Sequence, residues 1–173
     1  VTSTQVTQSV TPSAAAAGLA STFAVALLGV DGALVRVEVN ITSALRRFVI
    51  VGLPDGVVRE ARERVRCAIE NSGFAFPRSE VIVSLSPASL PKFGSGFDLG
   101  IAVAILMADG QLQTDLLAEH LLLGELTLEG AIKSAPGALQ AADIAAQFGL
   151  KRVLLSGDAE PLLPLLDPER IQF

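Results

Sequence analysis

Hydrophobic positions change period several times along this chain. Over residues 33–41, Val35, Val37, Val39 and Ile41 alternate with Leu34, Arg36, Glu38 and Asn40, the two-residue repeat of a half-buried strand. The run at 22–30 is also β-prone, and Asp31-Gly32 between the two runs is a strong hairpin signal. Residues 48–51 predict a third strand, ending in Gly52-Leu53-Pro54-Asp55 with Asp55 placed to cap a helix. From 55 to 72 the period becomes helical: Val57, Val58, Ala61, Val65, Ala68 and Ile69 share one face, and Gly73 supplies the left-handed stop. The opposite face carries Arg59, Arg62, Glu63, Arg66 and Glu70, with Glu60–Arg64 and Arg66–Glu70 at i,i+4 spacing.

Farther along, 81–85 reads as a strand and 86–96 as a Pro/Gly-containing loop. Residues 98–108 form an apolar helix with almost no polar face, expected to be buried on most sides, with Asp98 as its N-cap. Residues 121–128 and 131–132 predict a hairpin or bent strand pair around Gly130. An amphipathic helix over 137–148 stops at Gly149, and a strand (151–155) and a short helix (158–166) follow. The order β-β-β-α-β-α-β-β-α-β-α predicts an α+β fold, with helices packed on a mixed sheet. Residues 1–20 are Ser/Thr/Ala-rich and uncharged, and are expected to be a disordered leader or an expression remnant, leaving 21–173 as one domain.

Composition narrows the function classes. Half of the 173 residues are apolar and 18% are charged, enough for a sizeable core. The formal charge is −5, and there is no Trp or Tyr, which argues against a strong stand-alone nucleic-acid binder. Cys67 is the only cysteine, so neither an internal disulfide nor a cysteine-based zinc site is available, and a reducing cytoplasmic setting is expected. No apolar run reaches membrane-spanning length.

Candidate chemistry is sparse. His120 is the only histidine, which excludes a His-based metal cluster, and it is expected at the surface or as a cap. Cys67 is expected to be a small buried thiol. No Walker A motif occurs. The glycines at 94, 96 and 100 precede a helix, but Asp98 among them opposes phosphate. The helix of residues 55–72 carries four Arg against Asp55, Glu60, Glu63 and Glu70, and reads first as a solvated, salt-bridged face, then as a partner surface.

Three segments carry a resemblance. They are V-G-L-P-D (51–55) followed by R-E-A-R-E-R-V-R (59–66), L-P-K-F-G-S-G-F-D-L (90–99), and G-E-L-T-L-E-G (124–130). Together with the opening run 26–41, they resemble the N-terminal domain of the ComM/YifB proteins, bacterial magnesium-chelatase-like AAA+ ATPases. The resemblance implies a ribosomal protein S5 domain 2-like fold, also used by the proteolytic domain of Lon. It makes Gly52, Pro54, Asp55, Pro91, Gly94, Asp98, Gly124, Glu125 and Gly130 the motif residues. It also implies a following ATPase module, which would hold the ATP and Mg; no cofactor is expected in this chain, and no metal site.

Against Lon, a Ser-Lys peptidase, residues 91–101 align so that Asp98 takes the place of the nucleophilic serine. Counting on from 124–130 puts the lysine near Leu139, in a stretch where Lys133 is the only Lys. Both halves of the dyad are then missing, and Ser95 lies three residues early. The reading is a non-catalytic accessory domain of a competence-related ATPase linked to DNA branch migration. Its expected partners are the ATPase module, a homo-oligomeric ring, and DNA through the parent protein, with no membrane partner. Arg59, Arg62, Arg66 and Lys92 are the candidate contacts, chosen by charge and expected exposure. The alternatives are a residual hydrolase using Ser95, Asp98 or Lys133, and a DNA-binding module.

Overall fold

A computed structural model describes residues 18–113 and 116–157. The fold is α+β. A six-stranded mixed sheet has the order β3-β4-β2-β1-β5-β8, built from β1 (Leu19–Leu28), β2 (Asp31–Thr42), β3 (Arg47–Val51), β4 (Glu80–Ser86), β5 (His120–Leu122) and β8 (Arg152–Leu154). A separate antiparallel pair joins β6 (Glu125–Leu126) to β7 (Ile132–Lys133). The helices are α1 (Gly56–Asn71), α2 (Asp98–Ala108) and α3 (Ala138–Phe148), with a short 3-10 turn at Leu116–Glu119. No helix among the described residues is long and apolar enough to cross a membrane. The helix expected over 158–166 and most of the leader lie outside the described residues.

Alternation along the strands sorts side chains onto two faces. Ala20, Ala24 and Ala26 of β1 join Val35, Val37 and Val39 of β2 in a core with α1 and α2. Phe23 and Val25, the odd positions of β1, join Leu121, Leu123, Val153 and the apolar side of α3 in a second core. The central strands are thus covered on both sides, with the α1/α2 layer on one and α3 on the other. Eight of the eleven residues of α2 are buried, as its missing polar face predicts.

The hairpin turn falls earlier than its dipeptide signal. Leu28 pairs with Asp31, so Gly29 and Val30 make the reversal, while Asp31 and Gly32 already belong to β2. The reason is tertiary. A Cβ on Gly32 would lie 3.0 Å from Gln140 Cβ and 3.1 Å from Ile144 of α3, so this glycine serves a close helix–strand approach rather than a turn. The strand itself begins at Leu19, inside the expected leader, and the Ile41 N–H donates to the Gly18 carbonyl at 2.7 Å.

The expected 121–128 strand divides at Leu123-Gly124. β5 enters the main sheet beside β1, and β6 turns out into the small hairpin. The Gly130 turn rests on the end of α1, where a Cβ would come 2.1 Å from Ser72 Oγ. Asn71 Nδ2 donates to the Leu128 carbonyl at 2.7 Å beside it.

Candidate functional site

The three motif segments, far apart in the chain, meet around one buried ion pair. Arg64 of α1 donates from Nε to Asp98 Oδ2 at 2.7 Å and from Nη2 to Oδ1 at 3.0 Å, a bidentate fork. The Leu126 N–H adds a third donor to Asp98 at 3.2 Å. Burial raises the Asp98 carboxyl above its ordinary value, and the Arg64 fork and the Leu126 N–H oppose that rise. The hydrogen bond to Asp98 in turn holds the Arg64 guanidinium protonated. Asp98 is therefore not the cap of α2: it occupies the first helical position, and the N-cap residue Phe97 makes no side-chain capping bond. A charge with a full hydrogen-bond complement inside the core replaces the solvated cap that local pattern suggested.

Main-chain bonds close the same junction. Asp55 N donates to the Lys92 carbonyl at 3.0 Å and Lys92 N to the Leu53 carbonyl at 3.2 Å, which zips residues 52–55 to 91–94. Asp55 caps α1 as expected, accepting from Val58 N at 2.7 Å. Gly52 is obligatory here: its φ is +102°, and a Cβ would sit 2.1 Å from the Leu85 carbonyl oxygen. Pro54 bridges to Lys92 in parallel register, with Pro91 and Gly94 flanking that bridge. Gly124 N donates to the Gly96 carbonyl at 3.2 Å, and Leu99 N to the Gly124 carbonyl at 3.1 Å.

Lys92 was expected as an exposed cation and is fully buried. Its ammonium donates to the Pro87 carbonyl, and desolvation lowers its pKa below the ordinary value. It is a structural group of the loop and not a contact on the surface. His120, expected at the surface or as a cap, is buried as the first residue of β5. Cys67 is half-buried. Ser95 Oγ donates to the Glu125 carboxylate, and Glu125 stands across from Lys133 in the small hairpin. Leu139, where the Lon comparison puts the lysine, lies in the first turn of α3 and is 43% exposed.

The exposed arginines have a different setting. Arg59, Arg62 and Arg66 are all solvent-exposed, and Arg62 and Arg66 line an open pocket of about 310 Å³. The sequence reading missed the other half of that pocket, Arg46 from the β2–β3 connection and Arg47 at the start of β3. Glu63 is the only acidic lining residue among the described residues, and Phe48 and Phe76 line the pocket with it, their ring centroids 5.3 Å apart. Arg66 lies 3.6 Å from Glu70, whereas Arg46, Arg47 and Arg62 enter no ion pair among the described residues. Arg62 Nε donates to the Arg59 carbonyl at 3.1 Å, which holds the guanidinium stem against α1. The adjacent pair Arg46-Arg47 was visible in the sequence; its convergence with α1 depends on β3 pairing with β4 at the sheet edge.

These segments place the chain in a known class. The family described as subunit ChlI of Mg-chelatase matches residues 37–159, and the chain belongs to the magnesium-chelatase-like family of ComM and YifB. It is 42% identical over 144 residues to protein YifB of Escherichia coli, covering 83% of this chain and 28% of that protein. Competence protein ComM of Haemophilus influenzae is 38% identical over 138 residues, covering 80% and 27%. Protein Rv2897c of Mycobacterium tuberculosis is 40% identical over 149 residues, covering 86% and 30%. The chain thus spans less than a third of the length of these relatives.

Proposed function

We propose that this chain is the non-catalytic N-terminal accessory domain of a magnesium-chelatase-like AAA+ ATPase that acts in DNA branch migration. ATP and Mg are bound by the ATPase module of the parent protein, which works as a cytoplasmic homo-oligomeric ring on DNA. The observation that carries this reading is the use of the motif residues. Asp98, at the position of the Lon serine, has both carboxylate oxygens engaged by Arg64 and is fully buried, so the shared S5 domain 2-like scaffold serves here to join segments rather than to attack a substrate. The name of the Haemophilus relative supports the competence link.

The test compares the full-length parent protein with a version lacking this domain. Ring size, ATP turnover and branch migration are measured, and at least one is expected to change on deletion. If all three are untouched, the accessory role is wrong.

A second reading, a residual hydrolase, draws on the Ser95–Glu125 hydrogen bond. A serine needs a positioned base to become a nucleophile. Incubation with a fluorogenic casein and a serine-reactive phosphonate distinguishes the two. Turnover or labelling that disappears in Ser95→Ala would establish the hydrolase and remove the non-catalytic assignment.

A further inference from the structure

Four arginines converge on one small pocket in a chain whose net charge is −5. Arg46 comes from the β2–β3 connection, Arg47 is the first residue of β3, and Arg62 and Arg66 come from α1. Glu70 neutralises part of Arg66, and Glu63 is the one carboxylate in the lining among the described residues. Glu80, beside Arg47 in register, is hydrogen-bonded to Thr42 Oγ1 at 3.0 Å. An excess of guanidinium charge remains, gathered from separate elements against its own repulsion. Solvated charge on a single helix face does not account for that convergence.

We infer that this pocket binds the phosphate of a nucleotide or of a nucleic-acid strand. Guanidinium is planar, permanently charged and donates in a fork that matches phosphate oxygens two at a time. The Phe48–Phe76 pair gives an apolar wall beside the charges, where a sugar or base attached to the phosphate can rest. The volume of about 310 Å³ suits one nucleotide unit and is at the small end for ligand sites. The inference goes beyond the accessory role and does not rest on it, since the pocket shares no residue with the Arg64–Asp98 junction.

The experiment uses the 173-residue chain with three probes at low salt: inorganic phosphate and a mononucleotide followed by NMR, and a fluorescein-labelled oligodeoxythymidine followed by anisotropy. An oligonucleotide that binds more tightly than the mononucleotide identifies a strand as the ligand; equal affinity identifies a free nucleotide. The double substitution Arg47→Ala/Arg62→Ala is expected to weaken binding about tenfold or more. Arg62→Lys, which keeps the charge and loses the fork, is expected to recover only part of it. Arg152→Ala, at an exposed position of β8 on the far edge of the sheet, is expected to leave affinity within about twofold. For a single strand, each phosphate-contacting arginine removed flattens the logarithmic salt slope by about 0.7. Three outcomes overturn the inference: no phosphate probe binds, Arg152→Ala weakens binding as much as the double substitution, or an acidic peptide binds where the phosphate probes do not. Circular dichroism of each variant confirms that the fold is retained.

Discussion

Arg62 and Arg64 stand two residues apart on α1 and live in different physical regimes. Arg64 points inward, its side chain 19% exposed, with both fork positions on a carboxylate that is 1% exposed. Arg62 points outward into an open pocket, where its Nε donates to its own helix backbone. Two residues is about half a helical turn, enough to move a side chain from the core-facing stripe to the solvent face. The same chemical group is therefore a structural clamp at one position and an available anion contact at the other. Residue type alone says little about an arginine's role; what lies opposite it decides.

Removing the clamp should have the largest effect. Arg64→Ala leaves the buried Asp98 carboxylate without its cation and is expected to cost about 3–5 kcal/mol. Asp98→Asn should cost less, because Arg64 is partly solvated and keeps water as a partner. Urea unfolding of the two variants checks the order, and the reverse order would mean that Arg64 carries the buried charge penalty. Gly52→Ala is next, at about 3 kcal/mol, from a strained left-handed φ and a collision with the Leu85 carbonyl. Asp55→Ala removes the cap of α1 and is expected to cost about 1 kcal/mol, seen as a lower melting temperature. On the pocket side, Arg62→Ala should change stability by no more than about 0.5 kcal/mol in the same unfolding assay, which separates a binding residue from a clamp.

The smallest predicted effect is a pH dependence at Lys92. Its native pKa lies below the ordinary 10.5, so the unfolded chain binds more protons across that window. Stability from this group therefore rises as pH increases from the lowered native value toward 10.5. With no Tyr and one Cys in the chain, few other groups titrate there. Lys92→Met should remove the rise in alkaline urea titrations; a rise that persists would assign it elsewhere.

The strand alternation of β2, the all-apolar α2 and the capped, Gly-terminated α1 were legible because each is written in consecutive residues. Lys92 was misplaced because a lone lysine in a Pro/Gly loop carries no local sign of burial. Asp98 was misplaced for the opposite reason: its position before an apolar helix mimics a cap, and its true partner lies 34 residues away. The Asp31-Gly32 signal was displaced by a helix more than a hundred residues on.

By itself, the sequence determined the α+β class, most of the elements and the family, because periodicity and motif spacing are short-range properties of the chain. Only the tertiary structure decided which charges are buried, which arginines share a pocket and which glycines answer a close approach. Those outcomes depend on which segments meet, and β3 pairing with β4 while α1 packs against α2 brings together residues that no local window contains.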